Sequence, residues 1–430
     1  MDAGNQSQRE KKKGFLRYGV VGVGIGASSV LPAIASSPWS TLYAGADTDA
    51  GTRERFRASY PGARIFSSIG EICADPNIDV IWIATPNRFH AAHACAAAQA
   101  GKHVIVSKPM ATSLAEAATM VETCDKAGVK LIAGHSLGFS PAIRTMASMA
   151  QPQTAFGAPR TAQLMAFTDW MLLPRTPEEI DPAQGGGLVL RQSSHQLDAA
   201  RLLCGGVARS VRAHVGAWMP ARKGPGFFSA FLHFDNDAVA TVSHNGYGYL
   251  VGPEVAAWGS DVGISGNDIA HRNAARRLIR GGANESALKD AMRLGGSSPL
   301  FRHEGRAPYL PLHLGLVFVS CERGDLRHAP FGVYAYGDEG RSEIPASDDG
   351  SYLGLSEVEE MYAAVVDGAE LYRDGFWGMA TLEATMAIIE SSRLQREVTL
   401  KHQVPVRRRA LEPATALSHL LEEIQCQAQN

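Results

Sequence analysis

Several things are missing from this chain of 430 residues, and each absence excludes a class of function. Lysine and arginine number 41 against 43 acidic residues, so no cationic surplus exists to hold nucleic acid or an acidic membrane. No apolar run is long enough to cross a bilayer. The amino-terminal stretch MDAGNQSQREKKKGF has a basic cluster but no signal-type apolar core behind it. The six cysteines form no C-x-x-C pair and read as reduced packing residues of a cytoplasmic protein. His90 and His93 are the only close histidine pair placed to share a helix face. No carboxylate or cysteine joins them in a ligand pattern, and no metal is expected. There is no internal repeat.

What remains is a globular composition, 45% hydrophobic and 20% charged, in a chain long enough for two domains. From Leu16 onward strands and helices alternate. The expected strands are Tyr18–Val23, Thr41–Ala46, Val80–Ala84, His103–Val106 and Lys130–Gly134. Between them FHAAHACAAAQAG and SLAEAATMVETCDKAG read as helices that end on a capping glycine. That alternation predicts an α/β fold with a doubly wound parallel sheet over about 15–137.

The first strand runs into GVGIGASS, in which Gly22, Gly24 and Ala27 fit G-x-G-x-x-A, with Ile25 and an extra Gly26 between. Such glycines permit a tight turn and let backbone amides approach a pyrophosphate at a helix start. The second strand ends in Asp47, 21 residues beyond Gly26, where an acid accepts hydrogen bonds from an adenosine ribose. A dinucleotide is therefore expected. NAD is favoured over NADP because an aspartate repels a 2′-phosphate, although Arg53 stands close by in sequence.

The stretch GKHVIVSKPMATS places Lys108 at the end of a buried-type strand, just before Pro109. Open α/β sheets bind ligands at that edge, and proline restricts the residue before it. On its own, Lys108 reads equally well as a strand-end lysine reaching solvent.

The residues IATPNRFHAAHACAAAQAGKHVIVSKP resemble the T-P-N-x-x-H, A-G-K-H-V and E-K-P motifs of the Gfo/Idh/MocA oxidoreductases. GGGLVLRQSSHQLDAARLLCGG is similar to that family's glycine pair and H-x-x-D helix. The stretches TDWMLLPRTPEEIDPAQGGG, SCERGDLRHAPFGVYAYGDEGR and DGFWGMATLEATMAIIESS resemble its 4,5-dihydroxyphthalate dehydrogenase branch. The resemblance spans roughly residues 16 to 396. It implies a second α/β domain, 138–396, with a large and mainly antiparallel open sheet whose flat face makes a homodimer or homotetramer. Period-two runs agree with it at Arg160–Phe167, Val211–Trp218, Phe227–Phe234, Ala238–His244, Leu316–Cys321 and Val333–Tyr336. Leu355–Arg373 and Thr381–Leu394 read as closing helices, about 260–307 as an insertion, and 397–430 as a tail poorly constrained beyond about Val404.

Carried over residue by residue, the resemblance gives cofactor contacts from Thr85, Pro86, Asn87, His90 and Lys108 besides the glycine loop and Asp47. It makes Lys108 and His195 the proton-transfer pair of an NAD-dependent dehydrogenase. Asp198 would lie on the helix that His195 opens, orienting its neighbours beside the substrate. For His195 the competing reading is a capping or packing histidine at a helix start.

Two positions depart from the family pattern. Its E-K-P glutamate is Ser107 here, and the aspartate that many members carry four residues before the histidine is Arg191. A guanidinium binds carboxylate bidentately, so Arg191, with Arg175 as a second candidate, suits an anionic substrate. The bland reading of both is a surface salt bridge. The expected activity is oxidation of a carboxylated ring cis-dihydrodiol, such as 4,5-dihydro-4,5-dihydroxyphthalate, to a catechol. A dehydrogenase of a sugar, inositol or related polyol is the alternative, and a non-catalytic nucleotide-sensing adaptor is an alternative of another class.

Overall fold

The computed structural model describes residues 14–134, 136–222, 224–250, 277–279, 281–282, 284–292, 296, 314–329, 331–338, 340–346 and 354–412. These residues divide into two compact units. The first holds the described residues of Met1–Gly134, Ala287–His303 and Leu353–Met379, and the second those of His135–Ser286, Glu304–Tyr352 and Ala380–Asn430.

The first unit carries a six-stranded sheet: β1 (Leu16–Val21), β2 (Ser40–Ala46), β3 (Arg64–Phe66), β4 (Val80–Ile83), β5 (His103–Ser107) and β6 (Leu131–Gly134). All pairings are parallel, in the order β3-β2-β1-β4-β5-β6. The chain direction across the sheet reverses at β1 and β4, and ligands of open α/β sheets bind outside the strand ends at such a point. The strands are buried on both sides, which is why β4 and β5 read as continuous apolar runs without alternation. The helix Leu114–Ala127 starts on Ser113, whose hydroxyl accepts from the Glu116 N–H, and stops on Gly128 at φ 68°.

The helix Leu355–Val366 belongs to this first unit, whereas the sequence expectation assigned all of 138–396 to the second domain. The cause is apolar: Val358 and Met361 are fully buried in one cluster with Leu31, Ile34, Val80 and Trp82. Each such burial contributes about 1.5–3 kcal/mol. The helix also ends sooner than expected. Gly368 turns the chain at φ 69°, and Glu360 then accepts from the backbone N–H groups of Tyr372 and Arg373. Arg373 is fully buried, 2.7 Å from Glu360 and 3.3 Å from Glu357.

The second unit carries a nine-stranded mixed sheet. Its strands are β7 (Pro159–Phe167), β8 (Ala208–Gly216), β9 (Phe227–Phe234), β10 (Val239–Asn245), β11 (Leu316–Cys321), β12 (Gly324–Ala329), β13 (Gly332–Gly337), β14 (Gly340–Pro345) and β15 (Val398–Thr399). The order is β14-β13-β12-β11-β7-β10-β9-β8-β15, and only the β7–β10 pairing is parallel. Register separates the faces cleanly. Val319, Ala162, Ala240, Leu232 and Val211 align across five strands and are buried. The neighbouring row, Phe318, Gln163, Thr241, Phe231 and Arg212, is exposed throughout. The helix Leu188–Cys204 packs against β7, β10 and β9.

The tail is better held than its composition suggests. Arg144 donates to the carbonyls of Arg409, Ala410 and Glu412, and Glu383 accepts from the backbone N–H groups of Lys401 and His402. Residues 397–412 are therefore anchored, which corrects the expectation of looseness beyond Val404; 413–430 lie outside the described residues. Of the expected insertion, 277–279 and Glu285–Ala291 are helical, and most of the rest also lies outside the described residues.

Candidate active site

At the carboxyl ends of β1 and β4 the backbones approach closely. Gly22 has φ 85°, and a Cβ there would lie 2.9 Å from the carbonyl of Ala84 and the N–H of Thr85. Only glycine meets both demands. Gly24 and Ile25 are partly exposed, and Gly26 is exposed. The loop differs from expectation in one respect: Ile25–Ala27 forms a short 3-10 turn, and the α-helix begins only at Val30. Asp47 stands just past β2, partly exposed, with Oδ1 accepting from the Asp49 N–H at 2.9 Å. Arg53 donates to the carbonyls of Asp47 and Thr48, both at 2.9 Å, so a guanidinium shares this strand end. A glycine cradle at the switch point and an acid after the second strand fit a dinucleotide.

Thr85, Pro86 and Asn87 follow β4. Thr85 is partly buried, its hydroxyl 3.2 Å from His93 Nδ1; Pro86 is exposed and Asn87 buried. His93 stacks on Phe89, and burial holds its pKa below the ordinary value. His90 departs from expectation: it is 1% exposed, and its ring nitrogens lie 2.8 Å from the carbonyl oxygens of Thr85 and Pro109. The His90 ring thus lies inside the protein with each nitrogen against a backbone carbonyl.

Lys108 leaves the end of β5 partly buried, and the Lys108–Pro109 peptide bond is cis. Ser107, where the family motif has glutamate, is held by a hydrogen bond inside the sheet. Its hydroxyl accepts from the buried Trp82 indole N–H at 3.2 Å and so satisfies that donor.

In the second unit, the loop entering the long helix is built on glycines. A Cβ on Gly186 would lie 2.3 Å from the Glu178 carbonyl, and Gly187 has φ 87°. Arg191 and His195 are four residues apart on the resulting helix and share a face. The helix begins at Leu188, so His195 lies two turns inside it and does not open it as expected. His195 is 7% exposed.

Asp198 is fully buried. Its Oδ1 accepts from the Thr381 hydroxyl at 2.5 Å and lies 3.7 Å from Arg201, which also donates to Thr381 at 2.6 Å. A Cβ on Gly138 would stand 2.6 Å from the Asp198 Cβ. These contacts turn Asp198 inward, onto Thr381 and Arg201.

The two arginines singled out by sequence do come together. Glu179 Oε1 lies 3.6 Å from Arg191 and 4.0 Å from Arg175. A capping box with Thr176 fixes Glu179 at the start of the short Pro177–Ile180 helix. Arg175 lies over the Trp170 ring at 4.2 Å and donates twice to the Trp170 carbonyl. Burial lowers its pKa to about 10, opposed by Glu179 and reinforced by the like charges of Arg191 and Arg222. Arg191 is lowered by burial as well, opposed by Glu179 and Glu178, and its side chain is one-quarter exposed.

Sequence reasoning missed Arg222, which pairs with Glu285 at 2.7 Å and donates to the carbonyls of Met171 and Leu173. It also missed His244, fully buried, whose Nε2 is 2.9 Å from the Thr168 hydroxyl. Neither stands in a recognisable motif. Among the described residues there is no cluster of three or more His, Cys, Asp or Glu able to hold a metal. No helix among them is long and apolar enough to cross a membrane.

Residues 16–135 match the model of the Gfo/Idh/MocA oxidoreductase family, NAD-binding Rossmann fold, and residues 144–261 match the family's carboxyl-terminal domain. The 1-carboxy-3-chloro-3,4-dihydroxycyclohexa-1,5-diene dehydrogenase of Comamonas testosteroni is 31% identical over 395 residues, covering 88% of this chain and 95% of its own. A solved structure from Bordetella bronchiseptica RB50 is 31% identical with a TM-score of 0.80, covering 90% of this chain and all of that one. Levoglucosan dehydrogenase, solved with NADH and levoglucosan, shares the fold at a TM-score of 0.67 and 19% identity, covering 90% of this chain and all of its own. The glycine cradle, the parallel sheet and the mixed sheet accord with these matches, and the chain belongs to the Gfo/Idh/MocA family of NAD(P)-dependent oxidoreductases.

Proposed function

We propose that the protein oxidises one carbinol of a carboxylated cyclohexadiene cis-diol, of the 4,5-dihydro-4,5-dihydroxyphthalate type, to a catechol. The observation that carries this reading is Arg191, four residues before His195 on one helix face, with Arg175 also near Glu179. A guanidinium on the helix face that carries His195 suits a substrate carboxylate, which a neutral polyol would not use. The Comamonas relative supports the substrate class, since its name describes a carboxylated dihydroxycyclohexadiene. A polyol dehydrogenase is the second reading; Arg191, where many members of the family carry an aspartate, weighs against it.

Bound NAD supplies the hydride acceptor. Asp47 favours NAD over NADP by repelling a 2′-phosphate. In this proposal Lys108 takes the hydroxyl proton of the carbinol that loses hydride. The resulting hydroxy-ketone enolises to an aromatic catechol, which draws the reaction forward, and His195 assists the proton transfer or the enolisation. The protein acts as a homodimer or homotetramer through the exposed face of the nine-stranded sheet.

Replacing Lys108 by alanine tests the central role. NAD binding is expected to persist while turnover of the dihydrodiol falls on the order of 10²–10⁴-fold. Near wild-type turnover in that variant would remove Lys108 from the chemistry.

A further inference from the structure

We propose that His90 is the positioning residue of Lys108: a doubly protonated imidazolium that ties the strand end of β4 to that of β5. The inference rests on the reading of Lys108 as the proton acceptor, but its central observation is independent of any substrate. His90 Nε2 lies 2.8 Å from the Thr85 carbonyl oxygen, and Nδ1 lies 2.8 Å from the Pro109 carbonyl oxygen. A backbone carbonyl can only accept, so each ring nitrogen must donate. A neutral imidazole has one N–H and would turn its remaining lone pair onto the lone pairs of the other carbonyl. The two short contacts therefore select the cation.

Two effects oppose a charge here. The ring is 1% exposed, and His90 is the first residue of the His90–Gln99 helix, at the positive end of its dipole. Hydrogen bonds from a charged donor are about twice as strong as neutral ones, and His90 makes two of them to oxygens with no other way to be satisfied by this ring. Two cations add to that opposition: Arg88, two residues before and lying over the Phe89 ring, and Lys108, which directly precedes Pro109.

The consequence is mechanical. Thr85 belongs to the loop after β4, and Pro109 follows Lys108 directly. The clamp therefore fixes the backbone on which the Lys108 side chain is mounted, relative to the loop that begins at the glycine cradle's contact with Ala84 and Thr85.

Neutron diffraction from wild-type crystals exchanged into heavy water tests the clamp without any variant. Deuterium on both Nδ1 and Nε2 of His90 is expected, and deuterium on only one would overturn the imidazolium. His90→Asn and His90→Gln test positioning. Both are expected to lower kcat on the order of 10²-fold, through misplacement of Lys108, with NAD affinity held. Unchanged kcat in both folded variants would overturn the positioning role. Should neither variant fold, the neutron result still decides the clamp. A wild-type protein silent towards the dihydrodiol would sink the substrate reading alone.

Discussion

In the proposed reaction Arg191 is the position that sets the kind of substrate. It shares a helix face with His195 and lies 3.6 Å from Glu179. A hydrogen bond to a charged group is worth about 1.5–3 kcal/mol, or roughly a 10- to 100-fold change in binding. Arg191→Met is therefore expected to raise KM for the carboxylated dihydrodiol by that factor and to leave kcat nearly unchanged. Steady-state kinetics check this, with an uncarboxylated cis-dihydrodiol as control; an equal effect on both substrates would assign Arg191 to general packing. At this scale the sequence was informative about residue type and less so about direction. Lys108 ends β5, and Arg175 and Arg191 both lie near Glu179. His90 and Asp198, equally legible as motif members, turn inward onto Pro109 and Thr381, because a motif records which residue is required and not which way it points.

Among the elements, β5 and β6 carry a pH-sensitive joint. His103 Nδ1 accepts from the Lys130 N–H at 3.0 Å, which requires that nitrogen to be unprotonated. Burial, and after it the charge of Lys130, hold the His103 pKa below its ordinary 6.5. The unfolded chain thus takes up a proton before the folded one does. This contribution to stability is complete above about pH 6.5 and is lost as pH falls towards the lower folded value. His93, also depressed by burial, adds the same sign. Urea midpoints at about pH 7.5 and pH 5 should show wild type weakening in acid and His103→Gln weakening less; an unchanged difference would contradict the assignment. Element boundaries were legible where caps are written locally, as at Ser113 and Gly128. They were not at β12, β14 and β15, which are fixed by their neighbours in the sheet, nor at Arg373, drawn back by Glu357 and Glu360.

For the molecule as a whole, the alternation of strands and helices made the parallel sheet readable, and period-two runs made most of the mixed sheet readable. What sequence could not show was that Leu355–Val366 packs with the first unit, because an amphipathic helix carries no mark of which core receives it. The exposed row Phe318, Gln163, Thr241, Phe231 and Arg212 belongs to this scale too. If it is the homo-oligomer face, light scattering should give a dimer or tetramer for wild type and a smaller species for Phe231→Asp. A monomeric wild type would contradict that expectation. The most direct test of the central claim is nicotinamide absorbance with purified protein, NAD and the cis-4,5-dihydrodiol of phthalate, run beside myo-inositol and glucose. Rapid NADH formation from the dihydrodiol alone is the predicted result; turnover of a polyol, with the dihydrodiol inert, would contradict it.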